Sequence, residues 1–331
     1  MCGIGGFSLS NKSNLNSRKL ANTMLGLLEE RGTQASGAAW HSRSSVGYTK
    51  RDVRGSALNL RSMPRKTDAV ILHTRYATHG TTRNMANNHP VASPDGTTHL
   101  VHNGVIYNHD LVRAELPFEL PEVDTAVIPA VLQKSGLSGL SKLDGDASIA
   151  WLSDNATGIL RLARVSHSPL VIAQIKDGSF FFASTPAILD KFLKRMGLKS
   201  TFELVMPERT GYAVKNGTII ETLSIPDLDP AYEQKLSYNS YGKYRNMTAG
   251  GHKSNSYGLW WDDSPASCDI EPASEVESDF DQWLSDNYLE QHGEFFDLDG
   301  YFVGDRHTML QYFETTRYNE WWYEKTSLEH M

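Results

Sequence analysis

The sequence has few of the features that mark secreted, membrane-spanning or nucleic-acid-binding proteins. Its 331 residues include only two cysteines, Cys2 and Cys268, which cannot form a disulfide framework and favour a reducing, cytoplasmic compartment. No basic segment followed by an apolar run opens the chain, so no secretory signal is expected. No apolar run approaches the length of about 18 residues that a transmembrane helix needs, so no membrane partner is expected. The net charge of −7 argues against nucleic acid as the main partner.

The charge changes sign along the chain. Residues 1–225 carry 25 basic and 18 acidic side chains, a net +7, whereas residues 226–331 carry 7 and 21, a net −14. Such asymmetry usually marks a domain boundary, which we place near Ile225. The extension 226–331 has 20 aromatic residues against 11 Leu, Ile and Val, which argues against plain disorder. We expect it to dock by its aromatic side chains on the first domain or on a partner, with a flexible segment over Gly242–Gly258.

Hydrophobic periodicity predicts a mixture of short helices and strands. The predicted helices cover Ser17–Arg31, Glu122–Lys134 and Ile188–Leu198. The predicted strands cover Ala69–His73, Leu100–Ile106, Ala147–Leu152, Ile159–Arg164, Leu170–Ile175 and Ser179–Ala183, and Thr210–Val214 and Ile219–Leu223 form a predicted hairpin around Asn216-Gly217. In the extension, Phe280–Leu289 and Met309–Tyr323 are expected to be helices or strands.

Cys2 stands directly behind the initiator methionine. If Met1 is removed, one residue holds both a thiol nucleophile and a free α-amine. The α-amine titrates near pH 8, about the range in which a base is most effective, so no separate histidine is needed. The alternative is a small buried cysteine at the start of a strand with Met1 retained.

Polar residues follow the predicted strand Ala69–His73. The fork of Arg75 matches a substrate carboxylate bidentately, although a structural salt bridge is the plainer interpretation. A metal site formed by the histidines is disfavoured, because no His-Glu-x-x-His motif or close Cys/His pair accompanies them. The histidines concerned are His73, His79, His89 and His102. No cofactor is expected.

Asn103-Gly104 interrupts an apolar run. The dipeptide is first a turn signal, and the turn is the favoured interpretation from these residues alone. An asparagine amide beside a glycine N–H can also donate to an oxyanion. Asp124 has two interpretations that can coexist, as the N-cap of the following helix and as a partner for a substrate ammonium.

Taken together, these motifs resemble those of the class II glutamine amidotransferases, which are N-terminal-nucleophile (Ntn) hydrolases. The motif sequences are most similar to those of glucosamine-6-phosphate synthase glutaminase domains. The segments that carry the resemblance, in this order, are Met1–Ile4, Arg31–Gly37, His73–Gly80, His102–Asn108, Val123–Val127, Arg164 with Ser168–Leu170, and Phe182–Ser184.

The resemblance implies an α+β fold, a four-layer α/β/β/α sandwich of two mainly antiparallel sheets, over residues 1–225. It implies that Cys2 is the nucleophile, that Asn103 and Gly104 form the oxyanion hole, and that Arg31 supports the nucleophile. It also implies a glutamine pocket lined by Arg75, Thr78, His79, Gly104 and Asp124. One departure is Gln34, where the family usually has aspartate; glutamine keeps hydrogen bonding but loses the charge.

The resemblance implies that L-glutamine is hydrolysed through a γ-glutamyl thioester on Cys2 to glutamate and ammonia. Residues 226–331 contain no recognisable synthase motif, so the expected arrangement is a stand-alone amidotransferase that delivers ammonia to an acceptor bound by a partner or synthase protein. Two alternatives stay open, an amidase for γ-glutamyl or other amides and a non-catalytic binding protein.

Overall fold

The computed structural model describes residues 2–42, 45–77, 80–230, 232, 281–286, 288–291, 294–297 and 302–306. The chain divides into two units, residues 1–251 and 252–331, and each is described by itself. None of the helices within these described residues is long and apolar enough to span a membrane.

The first unit is built mainly of strands. In its described part they are β1 (Gly3–Ser8), β2 (Ala35–Ser42), β3 (Ser45–Arg51), β4 (Ala69–Arg75), β5 (Val91–Ala92), β6 (Thr98–Ile106), β7 (Gly145–Ser153), β8 (Ile159–Arg164), β9 (Val171–Ile175), β10 (Phe180–Ala183), β11 (Ser200–Val205), β12 (Thr210–Lys215) and β13 (Thr218–Ser224). The α-helices are α1 (Ser17–Leu28), α2 (His109–Ala114), α3 (Val127–Ser135) and α4 (Pro186–Met196). Short 3-10 turns cover Glu29–Arg31, Gly55–Ala57, Met85–Asn87, Asp124–Ala126 and Gly136–Lys142.

The strands form two antiparallel sheets. Seven strands pair in the order β11-β9-β10-β1-β4-β2-β3, and six pair in the order β13-β12-β8-β7-β6-β5. We refer to them as the first and the second sheet. Strand β1 lies in the middle of the first sheet, because β10 and β4 pair with its two edges.

Three apolar layers hold the sheets and helices together. Helices α1 and α4 cover the outer face of the first sheet, where Met24 and Phe192 pack with Phe181. The two sheets face each other across a second layer that includes Ile4 and Phe182. Helices α2 and α3 cover the outer face of the second sheet through a third cluster. The resulting α/β/β/α sandwich confirms the fold class expected from the sequence.

Most predicted elements are present, with ends shifted by a few residues. Helix α4 begins two residues earlier than predicted, because the Thr185 hydroxyl accepts a hydrogen bond from the Ile188 N–H at 3.3 Å and caps the first turn. It ends at Gly197, which has φ 67°. The predicted hairpin joins β12 and β13 through Asn216 (φ 52°) and Gly217 (φ 78°), both in the left-handed region that two-residue turns require.

The position of the domain boundary near Ile225 stays a prediction. The described residues just beyond it belong to the first unit and pack against the rest of it: the Asp229 N–H donates to the Ser141 carbonyl at 2.7 Å, and Tyr232 is buried in the cluster under α3. The expected flexible segment over Gly242–Gly258 and the element over Met309–Tyr323 lie outside the described residues.

The second unit contains a small antiparallel sheet. Its strands are β14 (Tyr288–Gln291), β15 (Glu294–Asp297) and β16 (Phe302–Asp305). A helix over residues 281–286 precedes them. Leu284 and Phe295 are buried together, and Trp283 packs against them with its ring centroid 5.2 Å from that of Tyr288. Leucine and aromatic side chains therefore pack together in the described part of this unit.

Close packing around β1 leads to a stability prediction. A Cβ added at Gly6 would lie 2.1 Å from the Val70 carbonyl oxygen and 2.6 Å from the Phe182 ring. We expect Gly6→Ala to lower the free energy of unfolding by about 1–3 kcal/mol, because backbone and ring must both move. Gly26 is the matched control, since a Cβ on this α1 residue meets nothing within 4 Å. Gly26→Ala is expected to stabilise by about 0.5–1 kcal/mol through helix propensity. Urea unfolding of both variants checks the pair, and equal effects would contradict the packing argument.

Candidate active site

Cys2 lies at the start of the central strand of the first sheet. It directly precedes β1, is half-buried, and its thiol donates to the Tyr76 carbonyl at 3.5 Å. Ser184 holds the backbone of Ile4 in β1, because its hydroxyl accepts from the Ile4 N–H at 2.7 Å and its N–H donates to the Ile4 carbonyl at 2.9 Å. A Cβ at Gly3 would lie 2.7 Å from the Thr74 hydroxyl oxygen. The backbone at Cys2 is thus held on both sides.

Arg31 connects Cys2 with Asn103. Its Nε donates to the Cys2 carbonyl at 2.8 Å, and its Nη2 donates to the Asn103 Oδ1 at 3.4 Å. Asn103 is only 1% exposed, and its Nδ2 has no hydrogen-bond partner among the described residues. A buried amide N–H without a partner is costly, so it marks a position where an acceptor can bind.

The turn favoured for Asn103-Gly104 is wrong. Both residues lie inside the nine-residue strand β6, which pairs without a register shift along β7. Gly104 has φ 143°, and a Cβ there would lie 1.7 Å from the Asp146 carbonyl oxygen of β7. The dipeptide serves a close approach of two strands rather than a reversal of the chain.

The pairing of β6 also directs the Gly104 N–H away from β7. Its partner is Ala147, whose own N–H donates to the Ser166 hydroxyl at 3.0 Å and whose carbonyl accepts from Val165 at 2.8 Å. The Gly104–Ala147 pair is therefore of the type that exchanges no ladder hydrogen bonds. With the two-residue period of a strand, the Gly104 N–H points to the same side as that of Ile106.

That side carries Asp124, and the N-cap interpretation of this residue is wrong. Asp124 is the first residue of a 3-10 turn whose cap residue is Val123, with no side-chain capping bond. Its carboxylate is 3% exposed and accepts from the Ile106 N–H at 2.9 Å. Among the described residues no strand pairs with the end of β6 on this side, and the Ile106 N–H is satisfied by a carboxylate from the turn at Asp124.

Arg75 ends β4 and is 2% exposed. Its Nη1 donates to the Asn88 Oδ1 at 2.7 Å, and its Nη2 donates to the Gly80 carbonyl at 3.0 Å. Gln34 braces the same stretch, because its N–H donates to the Arg75 carbonyl at 3.1 Å and its Oε1 accepts from the Ala77 N–H at 2.6 Å. Glutamine thus keeps a hydrogen-bonding role at this position. Thr78 and His79 lie outside the described residues.

Cys2, Arg75 and Asp124 act on one another electrostatically. Burial raises the pKa of the Cys2 thiol, the Asp124 carboxylate raises it further, and the Arg75 charge opposes both. Burial lowers the pKa of the Arg75 guanidinium, while Cys2 and Asp124 raise it. Because the thiol is disfavoured as a thiolate, attack on a substrate needs a nearby base.

Three buried histidines form a cluster, with His73 on β4, His102 on β6 itself and His89 in the loop before β5. The rings of His73 and His89 stack with centroids 3.8 Å apart, and the Thr125 hydroxyl bonds His89 Nε2 at 3.1 Å and His102 Nδ1 at 2.9 Å. The His73 Nε2 bonds the His102 carbonyl at 3.1 Å. Their rings thus have structural partners, and within the described ranges no group of three or more His, Cys, Asp or Glu side chains is arranged to hold a metal ion. His79, the fourth candidate ligand, is not among the described residues.

The comparisons with known proteins point to one family. A family model for a glutamine amidotransferase domain matches residues 54–215. Two relatives are the glutamine–fructose-6-phosphate aminotransferases of Clostridium acetobutylicum, 31% identical over 57% of this chain and 33% of the relative, and of Chlorobaculum tepidum, 30% identical over 71% and 40%. The chain carries a class II glutamine amidotransferase domain. It spans only 33 to 40% of the length of these relatives.

Solved structures agree with the fold of this amidotransferase domain. Glutamine phosphoribosylpyrophosphate amidotransferase from B. subtilis aligns with a TM-score of 0.54 and 16% identity, covering 68% of this chain and 49% of that chain. A structure described as the allosteric regulatory enzyme of purine biosynthesis aligns with a TM-score of 0.56 and 17% identity, over 68% and 49%. At such identities the likeness shows the Ntn sandwich alone.

The two sheets of the amidotransferase domain each supply half of the candidate site. Cys2 and Arg75 lie at the ends of strands of the first sheet, whereas Asn103 and Gly104 belong to β6 of the second sheet, whose Ile106 N–H holds Asp124. Sequence reasoning did not single out Asn88 or Thr125, nor assign a role to Ser184. These residues form hydrogen bonds to segments distant in the sequence, and no local sequence motif predicts such contacts.

The stacked histidines predict a loss of stability in acid. Burial lowers the pKa of His73 to about 3 and that of His89 well below its usual range, so the unfolded chain binds more protons below about pH 6.5. The free energy of unfolding should therefore fall as pH decreases through this range, by up to about 1.4 kcal/mol per pH unit for each histidine. Urea unfolding measured from pH 8.5 to pH 4.5 checks this.

The matched variant is His73→Gln, which keeps a donor for the His102 carbonyl and cannot titrate. Its free energy of unfolding should depend less steeply on pH than that of the wild type below pH 6.5. Above pH 7.5 the two curves should be parallel. Equal slopes in acid would show that His73 does not contribute.

Proposed function

We propose that the amidotransferase domain hydrolyses the side-chain amide of L-glutamine and releases ammonia for transfer. The observation that carries this proposal is the Asn103 amide. It is buried, its Oδ1 is held by the same Arg31 that bonds the Cys2 carbonyl, and its Nδ2 has no partner among the described residues. A donor of this kind beside a nucleophile suits an oxyanion that exists only during the reaction.

In the proposed first step, the α-amine of a processed Cys2 takes the thiol proton and the sulfur attacks the amide carbon of glutamine. The carbonyl oxygen becomes an oxyanion between Asn103 Nδ2 and the Gly104 N–H. The raised pKa of the thiol supports a base on the same residue, since little thiolate forms without one. The carbon–nitrogen bond then breaks, the leaving nitrogen takes the proton from the α-ammonium, and ammonia departs from a γ-glutamyl thioester.

In the second step, water attacks the thioester carbon while the α-amine accepts its proton. The same two donors stabilise the second oxyanion. The carbon–sulfur bond breaks, the thiolate regains its proton and glutamate is released. This sequence uses no cofactor.

The ends of the substrate fit the charges around Cys2. We assign the α-carboxylate to Arg75 and the α-ammonium to Asp124, with Thr78 and His79 as further pocket residues predicted from the resemblance. The buried state of both charges supports the assignment, since an ion pair with a zwitterionic amino acid offsets their desolvation. A substrate with a free α-amino acid end fits better than a plain amide.

The acceptor of the ammonia stays open. The two named relatives are aminotransferases that use fructose 6-phosphate, but this chain spans a minor part of their length. We propose that another protein, or a segment beyond those described, binds the acceptor. The cytoplasmic location and the role of residues 226–331 stay predictions.

Cys2 provides the first test of the function. We expect an intact-mass spectrum to show that Met1 is absent and that a glutamine-like diazoketone adds one equivalent to Cys2, with L-glutamine blocking the addition. Cys2→Ala should reduce glutamate formation at least about 1,000-fold, because covalent catalysis is lost. Cys268→Ala is the matched control and should retain activity. Full amide hydrolysis by Cys2→Ala would refute both the glutaminase and the alternative γ-glutamyl amidase.

Asn103 tests the oxyanion hole. Asn103→Ala removes one donor and should lower kcat about 100- to 1,000-fold with little change in KM, because the oxyanion is present only in the transition state. Asn11→Ala, at an exposed turn, is the control for loss of an asparagine side chain. Steady-state glutaminase kinetics checks both. An equal rise of KM without a fall in kcat would instead place Asn103 in ground-state binding.

A further inference from the structure

Lys50 is a half-buried lysine without a carboxylate partner among the described residues. It lies on β3, and its Nζ donates to the main-chain carbonyls of Asn88 at 2.7 Å and Pro90 at 2.9 Å. Lysine ammonium groups are strongly hydrated and are rarely buried without a counter-ion. An ammonium placed on two neutral carbonyls therefore needs an explanation.

The two carbonyls belong to a segment that lies across the first sheet. A Cβ at Gly37 on β2 would be 2.0 Å from the His89 carbonyl oxygen, so the segment touches the backbone of the strand. Gly37 pairs directly with Lys50 in the β2–β3 register. Lys50 thus binds the segment 88–90 next to Gly37. The segment can approach the strand this closely because Gly37 has no side chain.

Asn88 connects this fastening to the candidate active site. It is fully buried, its Oδ1 accepts from Arg75 Nη1 at 2.7 Å, and its Nδ2 donates to the Thr82 carbonyl at 2.7 Å. The Lys50 ammonium holds the Asn88 backbone while the Asn88 side chain holds the Arg75 guanidinium. Two hydrogen-bonded steps therefore separate Lys50 from the proposed carboxylate clamp.

A second positive charge, that of Arg75, acts on Lys50. Burial lowers its pKa to about 8, and the Arg75 charge acts in the same direction. Among the described residues, Lys50 also helps to lower the pKa values of His89 and His99. The positive charges of Lys50 and Arg75 repel each other, and a carboxylate that binds beside them offsets part of this repulsion.

We propose that Lys50 is a positioning residue for the α-carboxylate of the substrate. It aligns Arg75 through Asn88 and adds a second positive charge behind the clamp. This inference rests on the proposed function, because it assumes that Arg75 binds a carboxylate. It assigns a role in substrate affinity, and none in bond making, to a residue that no motif indicates.

The test compares Lys50→Met, Lys50→Arg and the control Lys12→Met in the full chain. Lys12 is exposed and follows the end of β1 opposite to Cys2. Steady-state kinetics with L-glutamine should show KM about 10- to 100-fold higher in Lys50→Met, the range expected for losing hydrogen bonds from a charged group, with kcat within about threefold of the wild type. Lys12→Met should match the wild type.

The pH profile separates positioning from simple support of the fold. The Cys2 α-amine titrates in the same range in every variant, so the ratio of kcat/KM in the wild type to that in Lys50→Arg is the informative quantity. This ratio should fall as pH rises through about 8, where the Lys50 ammonium deprotonates. Lys50→Arg keeps its charge at all these pH values, so it should lack this fall and show only the changes due to the α-amines of Cys2 and of glutamine. If Lys50 only supports the fold, its substitution should instead lower the melting temperature, and the pH profile of Lys50→Arg should be the same as that of the wild type.

The outcomes are distinguishable from failure of the proposed function. If the wild type neither hydrolyses glutamine nor is labelled by the diazoketone, both proposals fall. If the wild type is active and Lys50→Met keeps its KM, only the role of Lys50 is refuted. Should Lys50→Met fail to fold, the profile of Lys50→Arg decides alone: loss of the fall near pH 8 supports the proposal, and its persistence overturns it.

Discussion

The position of β1 between two neighbouring strands is the constraint on which the site depends. The glycines of Gly3–Ser8 leave no space for side chains, since a Cβ at Gly3 would contact Thr74 and one at Gly6 would strike the Val70 carbonyl. The strand is therefore fixed in register on both edges, and its first residue cannot slide along the sheet. The position of Cys2 is therefore fixed by the strand that follows it, although residues near a chain terminus are commonly mobile.

Burial of charge is the second constraint, and it acts in favour of an anionic ligand. Arg31, Arg75 and Lys50 are all buried enough that their pKa values are lowered, whereas Asp124 is the carboxylate that acts on Cys2 and Arg75. Such an arrangement costs free energy in the empty protein. Under the proposed function, a zwitterionic amino acid offsets part of this cost, and selectivity and affinity then have the same electrostatic origin.

The sequence predicts the elements of the sandwich better than the contacts between them. Periodicity located α1 and most strands, and the resemblance pointed to Cys2, Arg31, Asn103 and Arg75. Local rules failed at Asn103-Gly104 and at Asp124, because a turn signal and a capping preference were both overridden by partners on other strands. The roles of Asn88, Ser184 and Lys50 depend on which loop crosses which strand, and a single sequence carries no direct record of that.

Because Cys2 directly precedes a strand of the first sheet and Asn103 lies on a strand of the second, the geometry of the candidate site depends on the separation of the two sheets. Arg31 spans that gap with one hydrogen bond to each side, and the apolar layer containing Ile4 and Phe182 sets its width. A change in side-chain volume within this layer alters the distance between sulfur and amide without touching either. Under the proposed function, core packing therefore affects turnover, and the interior of the sandwich contributes to catalysis together with the residues at its edge.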